Sequence, residues 1–377
     1  MMSEVFDDRT IAPARSLEIL GLGTALPSYA ISQQEAAALA CTYAGENPGH
    51  KRVIDRLYAK TDINKRHAVL VQSEFYAPPS NPCTNDETDG PTTRARMEKY
   101  ETSVIPLAVQ SASRAIERSG VRPEQITHLI SITCTGFFAP GFDIALIKQL
   151  QLDPGVSRFQ LGFMGCHGAL NGLNLARLVA AACPQANILL CAAELSSIHY
   201  QYGWNLDNLL ANSLFADGSA AMVLRSCTKS ESFGCPPLSR VIASGSCLLC
   251  DSEEAMTWRI GDNGFVMTIS SRVPELIRAE LFPWLSGWLR SHNLTVDEVQ
   301  SWAVHPGGPK ILDAVEESLN LNSEALAVSR QVLSECGNMS SPTVLFILEK
   351  LREKEANGPC VILGFGPGLM VEATLVV

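Results

Sequence analysis

Residues 161–170 read Leu161-Gly162-Phe163-Met164-Gly165-Cys166-His167-Gly168-Ala169-Leu170, a buried-looking strand that turns at a glycine-flanked corner into an apolar helix. The corner places Cys166 on the first turn of the helix, where free backbone N–H groups and the positive end of the helix dipole stabilise a thiolate. Structural cysteines are far more common than reactive ones, so the corner alone leaves both interpretations open. Two later segments favour the reactive one.

The first of these segments supplies a candidate base. Val304-His305-Pro306-Gly307-Gly308-Pro309 forms a tight, backbone-exposed loop with little other reason to carry a histidine. His167 is a rival because it adjoins Cys166, but neighbouring residues at a helix start point in different directions. The alternative for His305 is a structural role, in which its ring is simply hydrogen-bonded within the loop.

The second segment is Cys336-Gly337-Asn338-Met339-Ser340-Ser341-Pro342. Asparagine cannot titrate and it donates hydrogen bonds, which suits Asn338 to stabilise a developing oxyanion. Asn338 could instead merely cap the helix that follows it. A cysteine nucleophile, a base and an amide donor together form the minimum set for acyl transfer through a thioester.

The composition limits the classes of protein that fit. With 377 residues and 46% hydrophobic content, the chain can form two or three lobes with large buried cores. A net charge of −10 argues against nucleic acid or an anionic membrane as the main partner. No apolar run approaches the roughly 18 residues of a membrane span, and the acidic first residues do not resemble a secretory signal. We therefore expect a cytoplasmic protein whose 12 cysteines are mostly reduced core residues.

One stretch reverses the overall charge. Residues 50–67 contain six Lys or Arg and two Asp, and Arg52, Arg56 and Lys60 recur at helical spacing. The stretch could be an ordinary solvated helix, or it could bind the phosphates of a small anionic ligand. A metal site is not indicated, since the one Cys-x-x-Cys, at Cys247 and Cys250, has no second pair.

Weak echoes along the chain suggest a duplicated α/β unit. The run at Arg122 that leads into a strand and a loop recurs about 173 residues later at Thr295. The helix opened by Cys166 has a counterpart opened by Asn338, and residues 215–223 are echoed by residues 364–371.

The duplication predicts two halves, residues 1–235 and 236–377, with a soft boundary at Cys235-Pro236-Pro237 and one continuous core. A pseudo-twofold axis would make Cys166 and Asn338 face each other. His305 would then lie beside them on a loop at a strand end, where α/β folds bind ligands.

These motifs resemble those of the type III polyketide synthases, the chalcone synthase-like branch of the thiolase-fold condensing enzymes. The resemblance covers nearly the whole chain, and its most specific parts are residues 165–169, Phe215 with Asp217-Gly218, residues 305–309, residues 337–341 and residues 364–368. It implies a thiolase-like five-layer αβαβα fold and a homodimer. Each subunit would have one active site, reached by a tunnel that admits coenzyme A thioesters, and would need neither a metal nor an organic cofactor.

The resemblance also implies roles for single residues. Cys166 would carry the starter and the growing chain as an acyltransferase nucleophile, and His305 would hold it as a thiolate–imidazolium pair. His305 and Asn338 would stabilise the enolate formed when malonyl-CoA loses carbon dioxide, and Phe215 would be the gatekeeper between tunnel and cavity. The residues expected to contact CoA are Arg56, Lys60, Lys310, Gly307 and Gly308, and the third basic position of the family falls on Val53.

The chain departs from the plant chalcone synthases where the cavity is shaped. Met267 replaces a second gatekeeping Phe, Trp258 replaces a glycine, His199 replaces a threonine, and Ala139 replaces a methionine that reaches across the dimer. Cys134 and Ser340 complete the expected cavity residues. The cavity is therefore expected to be relocated rather than simply enlarged.

Several products and activities fit these departures. Alkyl starters giving pyrones or resorcinols are at least as compatible with them as a p-coumaroyl starter giving a chalcone-type product. A single-round ketoacyl synthase or an acyl-CoA hydrolase of the same fold is the enzymatic alternative. A non-enzymatic dimeric binding protein is disfavoured because all three polar groups are present.

Overall fold

The computed structural model describes residues 15–44, 48–71, 90–228, 239–356 and 358–377. These residues form thirteen strands: β1 (Arg15–Ala25), β2 (Tyr29–Ser32), β3 (Lys65–Ala68), β4 (His128–Thr133), β5 (Ser157–Gly162), β6 (Asn187–Leu195), β7 (Asp217–Thr228), β8 (Arg240–Leu248), β9 (Met256–Gly261), β10 (Gly264–Ile269), β11 (Ser301–Val304), β12 (Cys360–Gly366) and β13 (Met370–Val376). The same residues form ten α-helices: α1 (Gln33–Tyr43), α2 (Pro48–Ala59), α3 (Thr93–Ser119), α4 (Phe142–Gln149), α5 (Gly168–Ala182), α6 (Leu206–Leu214), α7 (Val273–Ser291), α8 (Pro309–Leu319), α9 (Ala327–Cys336) and α10 (Thr343–Glu353).

Nine strands form one mixed sheet in the order β11-β12-β13-β8-β1-β7-β6-β4-β5. Outward from its middle, the series β1, β7, β6, β4 pairs antiparallel, antiparallel and parallel. The series β8, β13, β12, β11 pairs in the same three ways. The two series meet through only two residue pairs, Leu17 with Val241 and Glu18 with Arg240. The strand topology therefore repeats, as the echoes in the sequence predict.

Helices cover both faces of each series and share one layer between them. Leu170 of α5 and Val344 of α10 lie in a single core with residues of β6 and β12. On the outer faces, α3 and α4 pack in a second core against β4 and β6, and α7 and α8 pack in a third against β12 and β13. The result is the five-layer αβαβα arrangement of a thiolase-like fold.

The strands are buried on both faces because successive side chains alternate between two cores. In β6, Ile188 and Leu190 belong to the shared core, whereas Leu189 and Cys191 belong to the outer one. Such strands read as continuous apolar runs rather than alternating ones. A charged residue inside one of them is therefore conspicuous.

The predicted boundary at Cys235-Pro236-Pro237 lies outside the described residues. The shared core contains residues from both sides of that boundary, among them Leu190 and Ile362. In the described part of the chain, no helix is both long and apolar enough to cross a membrane.

Candidate active site

Cys166 lies in a single 3-10 turn, Gly165–His167, directly before α5. Gly165 has a φ of 71°, and a Cβ added to it would lie 2.3 Å from Cδ of Pro367. Only glycine fits this backbone and this close approach. The turn buries Cys166 to 4% exposure at the start of the shared helix layer.

Asn338 follows a matching glycine at the end of α9, Gly337, whose φ is 74°. Its backbone pairs with the end of α6: the N–H donates to the Leu214 carbonyl at 3.0 Å, and its carbonyl accepts from the N–H of Ala216 at 2.8 Å. Asn338 is thereby fixed next to Phe215, with which it forms an isolated parallel bridge.

The side chain of Asn338 is oriented by Ser340. The N–H of Ser340 donates to Oδ1 of Asn338 at 2.8 Å, an arrangement that requires Ser340 to adopt a φ of 59°. Because the acceptor end of the carboxamide is occupied, its NH₂ remains as the donor end. The side chains of Ser340 and Asn338 lie close enough to the sulfur of Cys166 that their polar groups lower the pKa of its thiol.

The electrostatics of Cys166 differ from the expectation drawn from the sequence. Burial raises the pKa of the Cys166 thiol to about 12, and the side chains of Ser340 and Asn338 offset this only in part. The nearby carboxyl group of Glu194 raises the pKa further. The loss of water around the sulfur outweighs the stabilising effect of the helix start, because desolvation penalises the charged form of any buried group.

His305 immediately follows β11 and is 1% exposed. The backbone N–H of His305 donates to the Leu363 carbonyl at 2.8 Å. Gly364, which follows Leu363, packs against His167, the residue after Cys166. Burial, with a further contribution from His167, lowers the pKa of His305 to about 3. Neither ring nitrogen of His305 has a hydrogen-bond partner among the described residues. The imidazole is therefore a neutral, uncommitted group close to His167, the residue after Cys166.

His167, the rival base, is held through Nδ1, whereas its Nε2 has no hydrogen-bond partner among the described residues. Its Nδ1 lies 2.7 Å from Oδ1 of Asn171 on the next turn of α5, and its ring packs against Gly366. Burial lowers the pKa of His167 as well. The structure thus ties this ring to α5 and β12.

A buried carboxyl group that we did not identify from the sequence lies behind the cysteine. Glu194 of β6 is 0% exposed and accepts from Thr135 Oγ1 at 2.7 Å, from Ser341 Oγ at 2.5 Å and from the N–H of Cys134 at 3.0 Å. Burial raises its pKa, and these donors offset part of the rise. The available signal was a single acidic residue inside the apolar run Asn187–Leu195.

Cys134 and Ser340 join this network to the nucleophile. The sulfur of Cys134 lies 3.3 Å from Oε1 of Glu194 and 3.5 Å from Oγ of Ser340, whose side chain also lowers the pKa of the Cys166 thiol. Both predicted cavity residues therefore lie beside the cysteine. Neither lines the open cavity described next.

Phe215, Met267, Trp258 and His199 line one cavity that is open to solvent. These four predicted cavity residues, remote in the sequence, are thus brought together. Ala139, by contrast, is exposed on the loop after β4 and does not line the cavity.

The cavity wall is held by hydrogen bonds to the loop beside Cys166. Nε2 of His199 donates to the Thr135 carbonyl at 2.6 Å, while Nδ1 accepts from the N–H of Phe265 at 3.0 Å. Trp258 donates from Nε1 to the Cys134 carbonyl at 2.7 Å. Burial lowers the pKa of His199 to about 3, so this ring is a neutral structural element of the wall.

The predicted CoA residues lie on the surface, outside this cavity. Arg56 is exposed on α2, whose apolar face buries Ile54 and Tyr58, and Lys60 follows the end of that helix. Lys310 is exposed in the first turn of α8. Val53, at the third position, is 41% exposed.

Gly307 and Gly308 form the turn between His305 and α8. Gly308 has a φ of 151°, and a Cβ on it would lie 3.6 Å from Leu214. The loop that carries His305 therefore lies beside the α6 end that carries Phe215. In the described ranges, no group of three or more His, Cys, Asp and Glu residues is arranged to hold a metal ion.

Comparisons with known proteins agree with this geometry. The sequence profile of the N-terminal domain of chalcone and stilbene synthases matches residues 7–227, and that of their C-terminal domain matches residues 241–377. The "Alpha-pyrone synthesis polyketide synthase-like Pks18" of Mycobacterium tuberculosis is 31% identical over 371 residues, which is 97% of this chain and 92% of the relative.

Solved structures show the same relationship. PKS-I from the brown alga Ectocarpus siliculosus superposes with a TM-score of 0.88 at 31% identity, covering 96% of this chain and 98% of the other. The C-terminal type III polyketide synthase domain of Steely1, a type I/III hybrid from Dictyostelium, superposes with a TM-score of 0.84 at 26% identity, covering 96% and 99%. The chain therefore belongs to the chalcone and stilbene synthase family and is a type III polyketide synthase, an acyltransferase.

Proposed function

We propose that the protein extends an acyl-CoA starter on Cys166 with successive malonyl-CoA units and releases the chain as an α-pyrone. The observation that carries the proposal is the grouping of Asn338 and Ser340 around the buried Cys166 thiol, whose pKa both side chains lower, with the uncommitted imidazole of His305 close to the neighbouring His167. The proposed reaction needs no metal and no organic cofactor.

The loading step begins with proton transfer from the Cys166 sulfur to His305. Burial disfavours ionisation of either group alone, but the transfer leaves the pocket without net charge. The thiolate attacks the thioester carbonyl of the starter, and the bond to CoA sulfur breaks. The CoA thiolate leaves with the proton from the imidazolium, so the acyl group rests on Cys166.

The extension step uses the donor end of Asn338. Loss of carbon dioxide from malonyl-CoA leaves the electron pair of the broken bond on the thioester enolate. Asn338 Nδ2 and His305 would donate to its oxygen. The enolate carbon then attacks the Cys166 thioester, the bond to the cysteine sulfur breaks, and the chain, longer by two carbons, passes to the incoming CoA. Transfer back to Cys166 starts the next round.

The exposed basic residues suit the phosphates of CoA. Arg56 and Lys60 on the α2 side and Lys310 on the α8 side have no ion-pair partner within the part of the chain described. Lysine and arginine without acidic partners remain available to phosphate oxygens. Gly307 and Gly308 would let the backbone approach the pantetheine arm between these residues and His305.

The α-pyrone is proposed from two considerations. The name of the mycobacterial relative describes α-pyrone synthesis by that protein. In this chain, the bulk at Trp258 and His199 lies on one wall of the cavity, which favours a flexible alkyl starter over a rigid aromatic one. A resorcinol or a chalcone-type product would correspond to a different folding of the chain in the same cavity.

We also propose that the enzyme is a cytoplasmic homodimer. The edge strand β5 and its surroundings expose Phe159, Phe137 and Met164, each between 37% and 39%. Exposed apolar side chains next to a free sheet edge are typical of a surface that a partner covers. Light scattering should give twice the chain mass, and Phe159→Glu should shift it towards the monomer.

The test is incubation of the purified protein with labelled malonyl-CoA and a panel of alkyl and aryl acyl-CoA starters. We expect products whose masses show two or more extensions and lactonisation. Cys166→Ala should abolish them, whereas Cys166→Gln should retain malonyl-CoA decarboxylation because the donors persist. Products with one extension would instead indicate a single-round synthase, and free acid without extension would indicate a hydrolase.

A further inference from the structure

Two buried arginines hold the two ends of one stretch of the cavity wall, residues 198–215, which we call the wall segment. Arg96 is 4% exposed and donates from Nη1 to the carbonyls of Ile198 at 2.6 Å and Tyr200 at 2.9 Å. Arg66 is 8% exposed and donates from Nη1 to the carbonyls of Asn212 at 2.5 Å and Phe215 at 2.8 Å. Neither arginine was among the residues predicted for the site.

The end held by Arg66 is the end of α6. The last carbonyls of a helix have no partner within the helix, and they attract a cation because they form its negative end. The Arg66 guanidinium supplies both a donor and a charge at this point. Because its side chain is nearly inaccessible to water, losing these contacts would leave buried carbonyls unpaired.

Arg66 reaches the catalytic loop through the same contact. Phe215, whose carbonyl it binds, lies between Leu214 and Ala216, and these two residues make the backbone bonds to Asn338. On the other side, a Cβ on Gly337 would lie 2.8 Å from Cγ of Arg66. The arginine therefore touches both strands of the bridge that fixes Asn338.

We propose that Arg66 is a positioning residue that holds Phe215 and Asn338 in register, so that the Asn338 NH₂ meets the enolate oxygen. The inference rests on the proposed decarboxylation. Arg66 also lines the cavity, but its proposed effect on decarboxylation passes through the backbone of Phe215 and Asn338. A displacement of about 1 Å at a catalytic donor can cost up to roughly 10²-fold in rate, so a shift of this bridge should be measurable.

The variants are Arg66→Lys, which keeps the charge but loses the planar fork, and Arg66→Gln, which keeps a donor without charge. Three quantities are measured: kcat and KM for malonyl-CoA decarboxylation, the rate of Cys166 acylation by a starter, and the unfolding temperature. We expect decarboxylation kcat to fall about 10- to 100-fold. Acylation and the KM for malonyl-CoA should stay within about threefold, because thiol, base and CoA contacts are unchanged.

Arg96→Lys is the matched control. It alters an equally buried arginine with the same kind of carbonyl contacts, but it does not touch the bridge to Asn338. We expect it to lower the unfolding temperature by a similar amount while decarboxylation stays within about twofold of the parent.

Three outcomes would overturn the inference. The first is a folded Arg66→Lys protein with unchanged decarboxylation. The second is a loss of acylation as large as the loss of decarboxylation, found to the same extent in the Arg66 variants and in Arg96→Lys. The third is failure of both Arg66 variants to fold while Arg96→Lys folds, which would assign Arg66 to the fold alone. A parent protein without decarboxylation or acylation would instead refute the proposed function, so the two failures are distinguishable.

Discussion

The turns at Cys166 and Asn338 share one backbone feature but differ in what surrounds them. In both, a glycine with a φ near 70° (71° at Gly165 and 74° at Gly337) precedes the residue; Gly165 leads into the turn before α5, whereas Gly337 ends α9, and α10 begins only at Thr343. The Cys166 turn packs on the rigid ring of Pro367, whereas the Asn338 turn is pinned by hydrogen bonds to Leu214, Ala216 and Ser340. A nucleophile needs only a buried position with donors near it. A hydrogen-bond donor must also be oriented. The Oδ1 end of the Asn338 carboxamide is therefore held by the N–H of Ser340, and its NH₂ end stays available.

The largest effect is expected when the hydrogen-bond donor Asn338 is removed. Asn338→Ala should reduce malonyl-CoA decarboxylation by about 10²–10³-fold, because the enolate oxygen loses a preorganised partner. Acylation of Cys166, followed by intact mass, should change only severalfold, since the nucleophile remains. Equal loss of acylation and decarboxylation in a folded Asn338→Ala protein would contradict separate roles for Cys166 and Asn338.

The two glycines allow a direct comparison of stability. A side chain in left-handed backbone costs about 1–3 kcal/mol of folding free energy, and both substitutions incur this. Gly165→Ala should cost the full 3 kcal/mol or so, because its Cβ would meet Pro367, a ring that cannot move aside. Gly337→Ala should cost somewhat less, about 2 kcal/mol, because its Cβ would approach Cγ of Arg66 less closely, at 2.8 Å, than the Cβ at Gly165 approaches Pro367. Denaturant unfolding of the two variants would measure this, and the opposite order would show that the Cys166 turn yields more easily than its packing indicates.

His199 belongs to the cavity wall and bonds to the loop beside Cys166 through the Thr135 carbonyl. Its pKa in the folded protein is about 3, mainly because of burial, against an ordinary value of 6.5. As the pH falls from 7 to 5, the unfolded chain therefore takes up a proton that the folded protein does not, and stability falls. This one group should account for about 2 kcal/mol over that range. His199→Gln should show a pH dependence of unfolding that is flatter by that amount, and an unchanged slope would mean that the ring is protonated in place.

The smallest effect on stability and decarboxylation is expected for a substitution at Trp258. Trp258→Phe keeps an aromatic wall but removes the bond to the Cys134 carbonyl, which should cost about 1 kcal/mol. Because Cys134 also contacts Glu194 and Ser340, the distribution of product lengths should change while malonyl-CoA decarboxylation stays near the parent value. Loss of decarboxylation here would mean that the wall also controls the donor side.

The sequence revealed the parts of the site that have local signatures. Gly165 and Gly337 mark positions where the backbone is left-handed, which other residues rarely adopt. The residues after them, Cys166 and Asn338, are the proposed nucleophile and hydrogen-bond donor. The residues it did not reveal, Glu194, Arg66 and Arg96, are charged groups whose partners lie far away along the chain. Glu194 bonds to Ser341, 147 residues later, and Arg66 to Phe215, 149 residues later. Nothing within a local window distinguishes Arg66 and Arg96 from charges on the surface, and the apolar run around Glu194 marks that residue without indicating which groups it contacts.

From the sequence alone we could predict the duplicated α/β plan and propose the nucleophile, base and donor, because glycine corners and apolar strands follow from local sterics and burial. Only the tertiary structure decided the electrostatics and the aim of these groups. Burial reversed the expected direction of the Cys166 pKa shift, and the bridge from Phe215 to Asn338 fixed the donor. Desolvation and hydrogen-bond direction depend on every element packed around a group, and those neighbours are assembled only when the chain folds.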